Sequence, residues 1–537
     1  MSDTGSTIAY RPLQVPSEDG EAVVEPCLAD QLTLLRENRA RQAKMSECDM
    51  GGCSLPRLRT MAREELLQRA ASYTSDYREI PEESRGPDAP IILAGHQPRL
   101  VHPGVWFKNV LLSELAKRTG SHAINLVIDS DLARNRSIHV PSGSVEAPRI
   151  STLPFDTPTS PMPYEARAIQ DPTLFASFGR RVGAAISPFV DQPLIRNFWP
   201  DAVELGRRHG NVGQALAQAR HRLEGEWGLN TLELPLGAVC GFRAFRWFAT
   251  HLLANARRFR DIHNRCVAEY RRVHKVRNHS HPVPDLVEDN GWTEVPFWLW
   301  TAGQPRRLPA FVRQSGRQLV LSDKGDVHLA LDLGPDAGFH RGVEQLDEAR
   351  RQGFRLRPRA LITTLFARLV MGDLFIHGIG GAKYDQVTDA LVRRFFAVAP
   401  PEYATAAATF KLPVPRPTVD HSDVRRVKWL LRELYYHPEL YVDATSETSP
   451  LIAEKRGWIE ADLSPERLRE RHEGIVRVNE ALRARLQARR EQLWNKQITL
   501  QSQLRKKAIL DSREYAFCLF PAESLRDRLL DLAHRQP

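Results

Sequence analysis

The chain has 537 residues, 42% of them hydrophobic, and a formal net charge of +10 at pH 7. At roughly 150 residues per domain this length predicts about three domains, and the apolar share is enough for a buried core. No run of about 18 uncharged apolar residues occurs, and the first residues lack a basic start followed by an apolar block. We therefore expect neither a membrane helix nor a secretory signal. The six scattered cysteines favour a reduced, cytoplasmic protein.

Residues 1–88 are predicted to be a helical N-terminal segment. Leucines recur every three to four residues between 28 and 76, which is the spacing of an amphipathic helix. The Pro-rich stretch "IPEESRGPDAP" then separates this segment from the first part of an α/β core, predicted at 89–150.

The core begins with "IILAG", whose uninterrupted apolar residues predict a strand buried on both faces. "VWFKNVLLSELAKRTG" predicts a helix that ends at Gly120, and "AINLVIDSD" predicts the next strand. Together they form one βαβ unit of a parallel sheet. Because ligands of open α/β sheets bind at the carboxyl ends of the strands, the loop after "IILAG" is a candidate site.

This loop, "GHQPRLVHPG", suits a bound ligand better than a simple reversal of direction. It offers backbone freedom at the strand exit, polar side chains and the positive end of the next helix, a combination that favours an anion. The candidate residues are Gly95, His96, Gln97, His102, Gly104 and Lys108. His96 and His102 are also candidate catalytic residues, since an unperturbed histidine titrates near neutrality. The alternative is a structural turn in which Pro103 fixes the helix start.

Asp129 and Asp131 end the second strand and complete the set of candidate catalytic residues. Two carboxylates at this edge can bind Mg²⁺, a ribose or an amine. Alternatively, they cap the next segment or pair with Arg134 and Arg136. Neither "CDMGGC" nor "RNHSHPVPDL" offers a full set of ligands, so no metal site is predicted.

The α/β signal is interrupted at 151–350, which is predicted to be an inserted α+β region with antiparallel strands in "EVPFWLWTAGQPRRLPAFVRQSGRQLVLS". It returns at 351–415, where we expect a strand over 373–377, a Gly-rich loop over 378–381 and a helix from about 383. Such a loop can expose backbone N–H groups to an anion, although its spacing is neither that of a Walker loop nor that of the dinucleotide fingerprint. The candidate ligand-binding residues are Gly378, Gly380, Gly381, Lys383, Tyr384 and Asp385.

Residues 416–510 are predicted to be a helical arm. A partial heptad pattern from Ile475 to Leu500, with Asn479 at a seam position, favours a homodimer formed through a coiled coil. Between Glu466 and Lys507, Lys and Arg outnumber Glu. This excess indicates a solvated helix face or, alternatively, a surface for nucleic acid, although no known nucleic-acid-binding motif is present.

Three segments resemble the bacillithiol-biosynthesis cysteine-adding enzymes, in the order found in that family. They are "LAGHQPRLVHPGVWFKN" with "NLVIDSD", "RPRALITTLFARLVMGDLFIHGIGGAKYDQ", and "FCLFPAESLRDRLLDL". The matching positions are Gly95, Gln97, Gly104, Lys108, Gly380 and Gly381, while His96 stands where the family has its first Gln. The family's acidic strand end usually carries Glu and His beside its Asp, whereas this chain has Asp129, Ser130 and Asp131.

The resemblance implies a Rossmann-like parallel-sheet core, an inserted connecting region, a coiled-coil arm used for dimerisation and a tail at 511–537 that packs back on the core. The implied activity is a ligase that joins the carboxyl group of an amino acid, cysteine in the family, to the amine of an amino-sugar conjugate. ATP or ADP would be held by the two Gly-rich loops, and Mg²⁺ is left open. The alternative is a non-catalytic nucleotide- or sugar-phosphate-binding protein whose basic arm docks a partner or RNA.

Overall fold

The computed structural model describes residues 8–45, 47–80, 86–315, 318–333, 339–461 and 464–536, which form a mixed α/β structure with more helix than strand. The strands are β1 (Ala22–Glu25), β2 (Ile91–His96), β3 (His122–Val127), β4 (Ser137–Gly143), β5 (Pro148–Pro154), β6 (Leu232–Pro235), β7 (Glu288–Asp289), β8 (Trp292–Thr301), β9 (Gln304–Ser315), β10 (Gln318–Ser322), β11 (His328–Asp332), β12 (Phe354–Pro358), β13 (Leu374–His377) and β14 (Ala404–Ala408).

The α-helices are α1 (Leu28–Ala43), α2 (Leu55–Ser75), α3 (Pro103–Thr119), α4 (Pro172–Ile186), α5 (Ile195–His209), α6 (Val212–Glu226), α7 (Leu236–Val239), α8 (Arg243–Ala254), α9 (Ala256–Val273), α10 (His340–Arg351), α11 (Ala360–Phe366), α12 (Ile379–Leu391), α13 (His421–Tyr436), α14 (Ser449–Glu460), α15 (Leu468–Arg485), α16 (Gln487–Leu510) and α17 (Ala522–His534). They divide between two compact units, one formed by 1–140, 151–412 and 513–537 and the other by 141–150 and 413–512.

The first unit contains a mixed six-stranded sheet in the order β1–β14–β13–β2–β3–β6. The strands from β14 to β6 are parallel, and β1 pairs antiparallel with β14 at one edge. β2 and β13 are neighbours, with Ile92 beside Leu374. The two segments that the sequence assigns to one α/β core, 89–150 and 351–415, therefore do meet as parallel neighbours in one sheet.

The central strand β2 has the environment that its sequence predicts. Ile91 to Ala94 are fully buried, because neighbouring strands flank β2 and other elements cover both faces of the sheet. The edge strand β6 lies within the stretch that we expected to be an insertion. That stretch therefore supplies part of the core sheet as well as separate elements.

A second sheet is antiparallel and has the order β11–β10–β9–β8–β12, with β7 paired to β8. The predicted antiparallel strands after Glu294 are thus confirmed. Leu93 of β2, Leu126 of β3 and Phe297 of β8 belong to one buried apolar cluster, so the two sheets share a core.

The second unit is built mainly from α13 to α16, which bears out the prediction that 424–510 is nearly all helical. Here α13 packs against α16, and α14 packs against α15. The heptad run is not one helix, because α15 ends at Arg485 and α16 begins at Gln487. The seam position assigned to Asn479 is wrong. Its buried side chain donates to the carbonyl of Tyr436 in the same chain, at 3.3 Å.

None of the described helices is both long and apolar enough to cross a membrane.

Candidate active site

The carboxyl ends of β13, β2, β3 and β6 meet at one edge of the core sheet, because these strands are parallel neighbours. His377 ends β13 and His96 ends β2, while Asp129 and Asp131 follow β3. The sheet therefore brings together residues from distant segments of the chain at the place where open α/β sheets bind ligands.

A chain of polar contacts crosses this edge. The Gln97 side chain donates to Oδ2 of Asp131 at 3.0 Å, and Oδ1 of Asp131 pairs with the guanidinium of Arg307 on β9, also at 3.0 Å. Asp131 thus pairs with an arginine of the second sheet, whereas the sequence suggested Arg134 or Arg136 as its partner. Gln97, Asp131 and Arg307 line a cavity of about 250 Å³.

An aromatic ring and a second cation also line this cavity. The guanidinium carbons of Arg307 and Arg359 lie 4.4 and 4.3 Å from the centre of the Trp298 ring, a distance typical of cation–π contacts. Arg359 also pairs with Glu294 at 2.5 Å. The cavity is therefore lined by a carboxylate, an amide and two guanidinium groups, with Arg307 paired to Asp131 and Arg359 paired to Glu294. Such a lining can recognise an ammonium group and an anionic group in one small ligand.

Two carboxyl groups lie beside each other next to this edge. Asp129 accepts a hydrogen bond from the backbone N–H of Gly237 at 2.8 Å, and Glu165 is held by Arg357 through contacts of 3.0 and 2.8 Å. A Cβ on Gly237 would lie 2.7 Å from Oε2 of Glu165 and 3.0 Å from Oδ2 of Asp129, so only glycine leaves room for both carboxyl groups.

Burial, with a smaller effect from the negative charge of Glu165, raises the pKa of Asp129 to about 7, although Arg357 and the Gly237 N–H oppose the change. Asp129 can therefore gain or lose a proton near neutrality. This is the property required of a general acid or base at that pH.

Lys108 lies on the first turns of α3 with its side chain directed back to the end of β2. Its Nζ donates to the carbonyl of Gly95 at 2.5 Å, and no carboxylate contacts it among the described residues. Burial, helped by the positive charge of Arg220, lowers the pKa of Lys108 to about 7. The amine is therefore neutral in part of the molecules at neutral pH, and an anion bound nearby would favour its charged form.

His96 and His377 are neutral at the same edge. Burial lowers the pKa of His96 well below its ordinary value, and the nearby Lys108 acts in the same direction. Nδ1 of His96 bonds to the Gln97 carbonyl at 3.0 Å, which assigns the proton to Nδ1 and leaves Nε2 as an acceptor. His377 bonds through Nε2 to Asp385 at 2.9 Å, yet burial still lowers its pKa.

The Gly-rich loop predicted at 378–381 is wrong, since α12 begins at Ile379 and Gly378 is its N-cap residue. Gly380 and Gly381 thus lie in the first turn of a helix, whose free N–H groups replace the predicted nest. A Cβ on Gly378 or Gly380 would meet no atom within 4 Å, whereas one on Gly381 would lie 2.7 Å from Nδ1 of His377. Open space is therefore available beside the first two glycines only.

The residues that follow have different surroundings. Lys383 is half-buried, and the Tyr384 ring contacts the ring of His281 at 5.2 Å between centres. The Asp385 carboxylate is buried and bonded to both His377 and Arg368. Asp385 therefore belongs to an internal ion-pair network, which leaves it little capacity for a ligand.

His102 and Gly104 lie at the start of α3, away from the lining of the cavity. A Cβ on Gly104 would lie 1.8 Å from the carbonyl oxygen of Ala408, so this glycine allows α3 to pack on β14. His102 is the N-cap residue of α3, and its buried Nδ1 has no hydrogen-bond partner among the described residues. Burial lowers its pKa, with the nearby Glu514 opposing the change.

One group of potential metal ligands occurs among the described residues, formed by His221, Glu224 and Glu233, whose ligand atoms lie within 4.8 Å of one another. All three are buried, and the Arg220 guanidinium bonds to both carboxylates. Because a cation already occupies this position, the group does not favour a metal ion.

About half of the residues of this site were not predicted from the sequence. It did not identify Arg307, Trp298, Arg359, Glu165 or Gly237. The aromatic and basic residues of "FWLWTAGQPRRLP" were the available signal for the first two, but nothing in the sequence placed β8 and β9 beside Asp131.

The sequence matches no protein-family model, and no curated protein matches it.

Proposed function

We propose that this protein is a carbon–nitrogen ligase of the bacillithiol type, which joins the carboxyl group of an amino acid to an amine such as that of an amino-sugar conjugate. The observation that carries the proposal is the cavity of about 250 Å³ whose lining includes the carboxylate of Asp131 and the guanidinium groups of Arg307 and Arg359. A reaction between an amine and a carboxylate needs both kinds of recognition in one place. The cavity lies below the range of about 300–1,000 Å³ typical of drug-sized ligands, which suits a ligand of amino-acid size.

The proposed core is a Rossmann-like sheet. Numbered along the chain, the parallel strands β2, β3, β6, β13 and β14 have the order 3-2-1-4-5, and the direction of winding changes between β2 and β13. In folds of this kind the ligand binds at that switch point. Gly95 to Gln97 and Gly378 lie at the ends of these two strands.

Each residue has a role that its contacts permit. Asp131 would exchange part of its contact with Arg307 for the ammonium group of the acceptor. Arg307 and Arg359 would hold the carboxylate of the amino acid with the N–H groups that their pairs with Asp131 and Glu294 leave unused, among them the buried Nε of Arg359. Asp129, whose pKa is near 7, accepts the proton that the attacking amine must lose. Nε2 of His96 is a weaker acceptor for that proton, because burial lowers the pKa of His96 well below its ordinary value.

The proposed nucleotide site uses the open space beside Gly378 and Gly380, the first turn of α12 and Lys383. ATP, when bound, would supply the leaving group that makes amide formation favourable. The residues fit Mg²⁺ less well than they fit the nucleotide. Asp131 is paired with Arg307, and the raised pKa of Asp129 disfavours the carboxylate that a metal ion would need. We therefore assign no step to Mg²⁺.

The test is a ligation assay with ATP, cysteine and a panel of amino-sugar conjugates, accompanied by thermal unfolding. A ligand at 100 times its dissociation constant stabilises the fold by roughly 2.7 kcal/mol, which is readable as a shift in Tm. The first variant is Arg307→Met, and its matched control is Arg313→Met. Both arginines lie on β9 over a tryptophan of β8, but Arg313 stacks on Trp292 and does not line the cavity.

We expect Arg307→Met to lower turnover about 100-fold or more, because a hydrogen-bonded charged contact is worth roughly 2–3 kcal/mol or more. Arg313→Met should keep turnover within about twofold. Equal effects of the two substitutions would contradict the assignment of the cavity. Ligand-induced stabilisation without any turnover would instead support the second candidate, a nucleotide- or sugar-phosphate-binding protein.

One observation favours a macromolecular partner or a second copy at the helical unit. Trp429, Tyr435, Trp494 and Ile498 are large apolar side chains, and each is about half exposed or more. We propose that they contribute to a homodimer. Light scattering at micromolar concentration that detects only monomer would rule this out. A cytoplasmic location accords with six cysteines that are all free thiols.

A further inference from the structure

A groove runs between α4 and α5, away from the candidate active site. Its volume is about 680 Å³. We call it the α4–α5 groove and define it by six of its lining residues: Ala176, Arg180, Gly183, Ala184, Arg196 and Arg207.

The α4 side of the groove carries small residues at helical spacing. Ala176, Gly183 and Ala184 lie on one face of α4, and a Cβ on Gly183 would meet no atom within 4 Å. Glycine at this position is not required by packing inside the chain, since the space above it is open. An inserted side chain from another molecule could occupy that space.

The edge of the groove is positively charged. Arg180, Arg196 and Arg207 are exposed, and none has an acidic partner in the part of the chain that the structure describes. Glu204 also lines the groove, but its carboxylate is bonded to Arg222 at 2.6 Å. Three cations are therefore available to an outside partner and are not neutralised by the groove itself.

The spacing of these cations selects an extended partner. Arg196 and Arg207 lie in the first and last turns of α5, about 16 Å apart at 1.5 Å per residue, and Arg180 lies on the opposite helix. A single phosphate or carboxylate cannot reach all three. A helix of three or more turns with acidic residues along its edges can, and its apolar side chains would face the small residues of α4.

The composition of the groove disfavours other partners. Its aromatic lining residue, Trp199, is buried, so the groove offers no stacking surface for nucleic-acid bases. No large apolar side chain of α4 or α5 is exposed, which leaves nothing to insert into a membrane. We propose that the α4–α5 groove docks an acidic amphipathic helix of a partner protein.

The probe is a fluorescein-labelled peptide of about five helical turns with leucines on one face and glutamates on the other, read by fluorescence anisotropy against the full chain. Gly183→Leu should fill part of the groove, since a Cβ there meets no atom within 4 Å, and Ala184→Leu is a second groove-filling variant at an exposed position. The charge variant replaces Arg180, Arg196 and Arg207 with Ala. Its matched control replaces Arg272, Arg277 and Arg425, which are exposed elsewhere and have no acidic partner among the described residues, and removes the same charge.

We expect the groove-filling and charge variants to weaken peptide binding by about tenfold or more, and the control to change it by less than about threefold. Thermal unfolding establishes that each variant is folded. An equal loss in the control would show non-specific attraction and overturn the proposal. The proposal would also be overturned if the wild type failed to bind the peptide but bound single-stranded RNA or anionic vesicles, and if the charge variant lost that binding.

Discussion

Lys108 permits a quantitative test of the electrostatics at the end of β2. Its side chain is 3% exposed and, among the described residues, bonds to the carbonyl of Gly95 alone; burial lowers its pKa from 10.5 to about 7. In the unfolded chain the same amine keeps its ordinary pKa and binds a proton more tightly. Between pH 7 and 10.5 the unfolded state therefore binds more protons than the folded state, and stability rises with pH across this window.

The size of the effect follows from the two pKa values. At pH 7 the lysine lowers the free energy of unfolding by roughly 4 kcal/mol, and at pH 10 by less than about 1 kcal/mol. Lys108→Met removes this term and retains an unbranched apolar side chain, but it leaves the Gly95 carbonyl without its donor, at a cost of about 1 kcal/mol. We expect the variant to be more stable than the wild type by roughly 3 kcal/mol at pH 7 and about equally stable at pH 10.

The assay is urea unfolding of both proteins at several values from about pH 7 to pH 10, compared as a difference so that other titrating groups cancel. Lys455→Met is the matched control, because Lys455 is equally buried but contacts the Glu439 carboxylate. That substitution should destabilise, since it leaves a partly buried carboxylate unpaired. A stability difference for Lys108→Met that does not change with pH would refute the reasoning, because it would mean that Lys108 has the same pKa in the folded and unfolded states.

Three further predictions test the site and its packing. The stability of Asp129→Asn relative to the wild type should increase by about 2–4 kcal/mol as the pH rises from 4 to 7, because the raised pKa makes the folded carboxylate progressively unfavourable in this window. Denaturant titrations in which the stability difference between the two proteins is the same at pH 4 and pH 7 would contradict this prediction. Gly104→Ala should lower the free energy of unfolding by about 2–3 kcal/mol, because its Cβ clashes with Ala408. Gly183→Ala is the control in an open helical position, and its free energy of unfolding should equal that of the wild type or exceed it by up to about 1 kcal/mol. Gly380→Leu should abolish nucleotide-induced stabilisation while the apo protein unfolds as before, and retained stabilisation would move the nucleotide site elsewhere.

The elements that the sequence predicted well are those with a local signal. The strand β2 could be predicted because four consecutive buried residues leave an uninterrupted apolar run. The helix α3 could be predicted because Gly120 adopts the left-handed conformation that ends it. Its true start, one residue before Gly104, follows from Pro103, whose fixed φ suits the first helical position.

The predictions that failed concern residues whose partners are distant in the chain. A Gly-Ile-Gly-Gly run suggests a loop because glycine lowers helix propensity, yet α12 begins there, where Gly381 must lie close to His377. Asn479 occupies a heptad position, but its buried side chain donates a hydrogen bond to the Tyr436 carbonyl of the same chain. Periodicity indicates which face of a helix is covered, and it does not indicate whether the same chain covers it.

The acid–base properties of the site depend on one such distant contact. A carboxylate directly after a buried strand has an ordinary pKa if water surrounds it, and the sequence around Asp129 gives no reason to expect otherwise. The change arises mainly from the burial of Asp129 and to a smaller extent from Glu165, which lies beside it because Gly237, after β6, has no Cβ to crowd the two carboxyl groups. Arg357, from the second sheet, pairs with Glu165 and so offsets the cost of burying two carboxyl groups side by side. The chemistry of the site therefore depends on segments that only the folded chain brings together, whereas the sheet edge at which it lies could be predicted from β2 and β3.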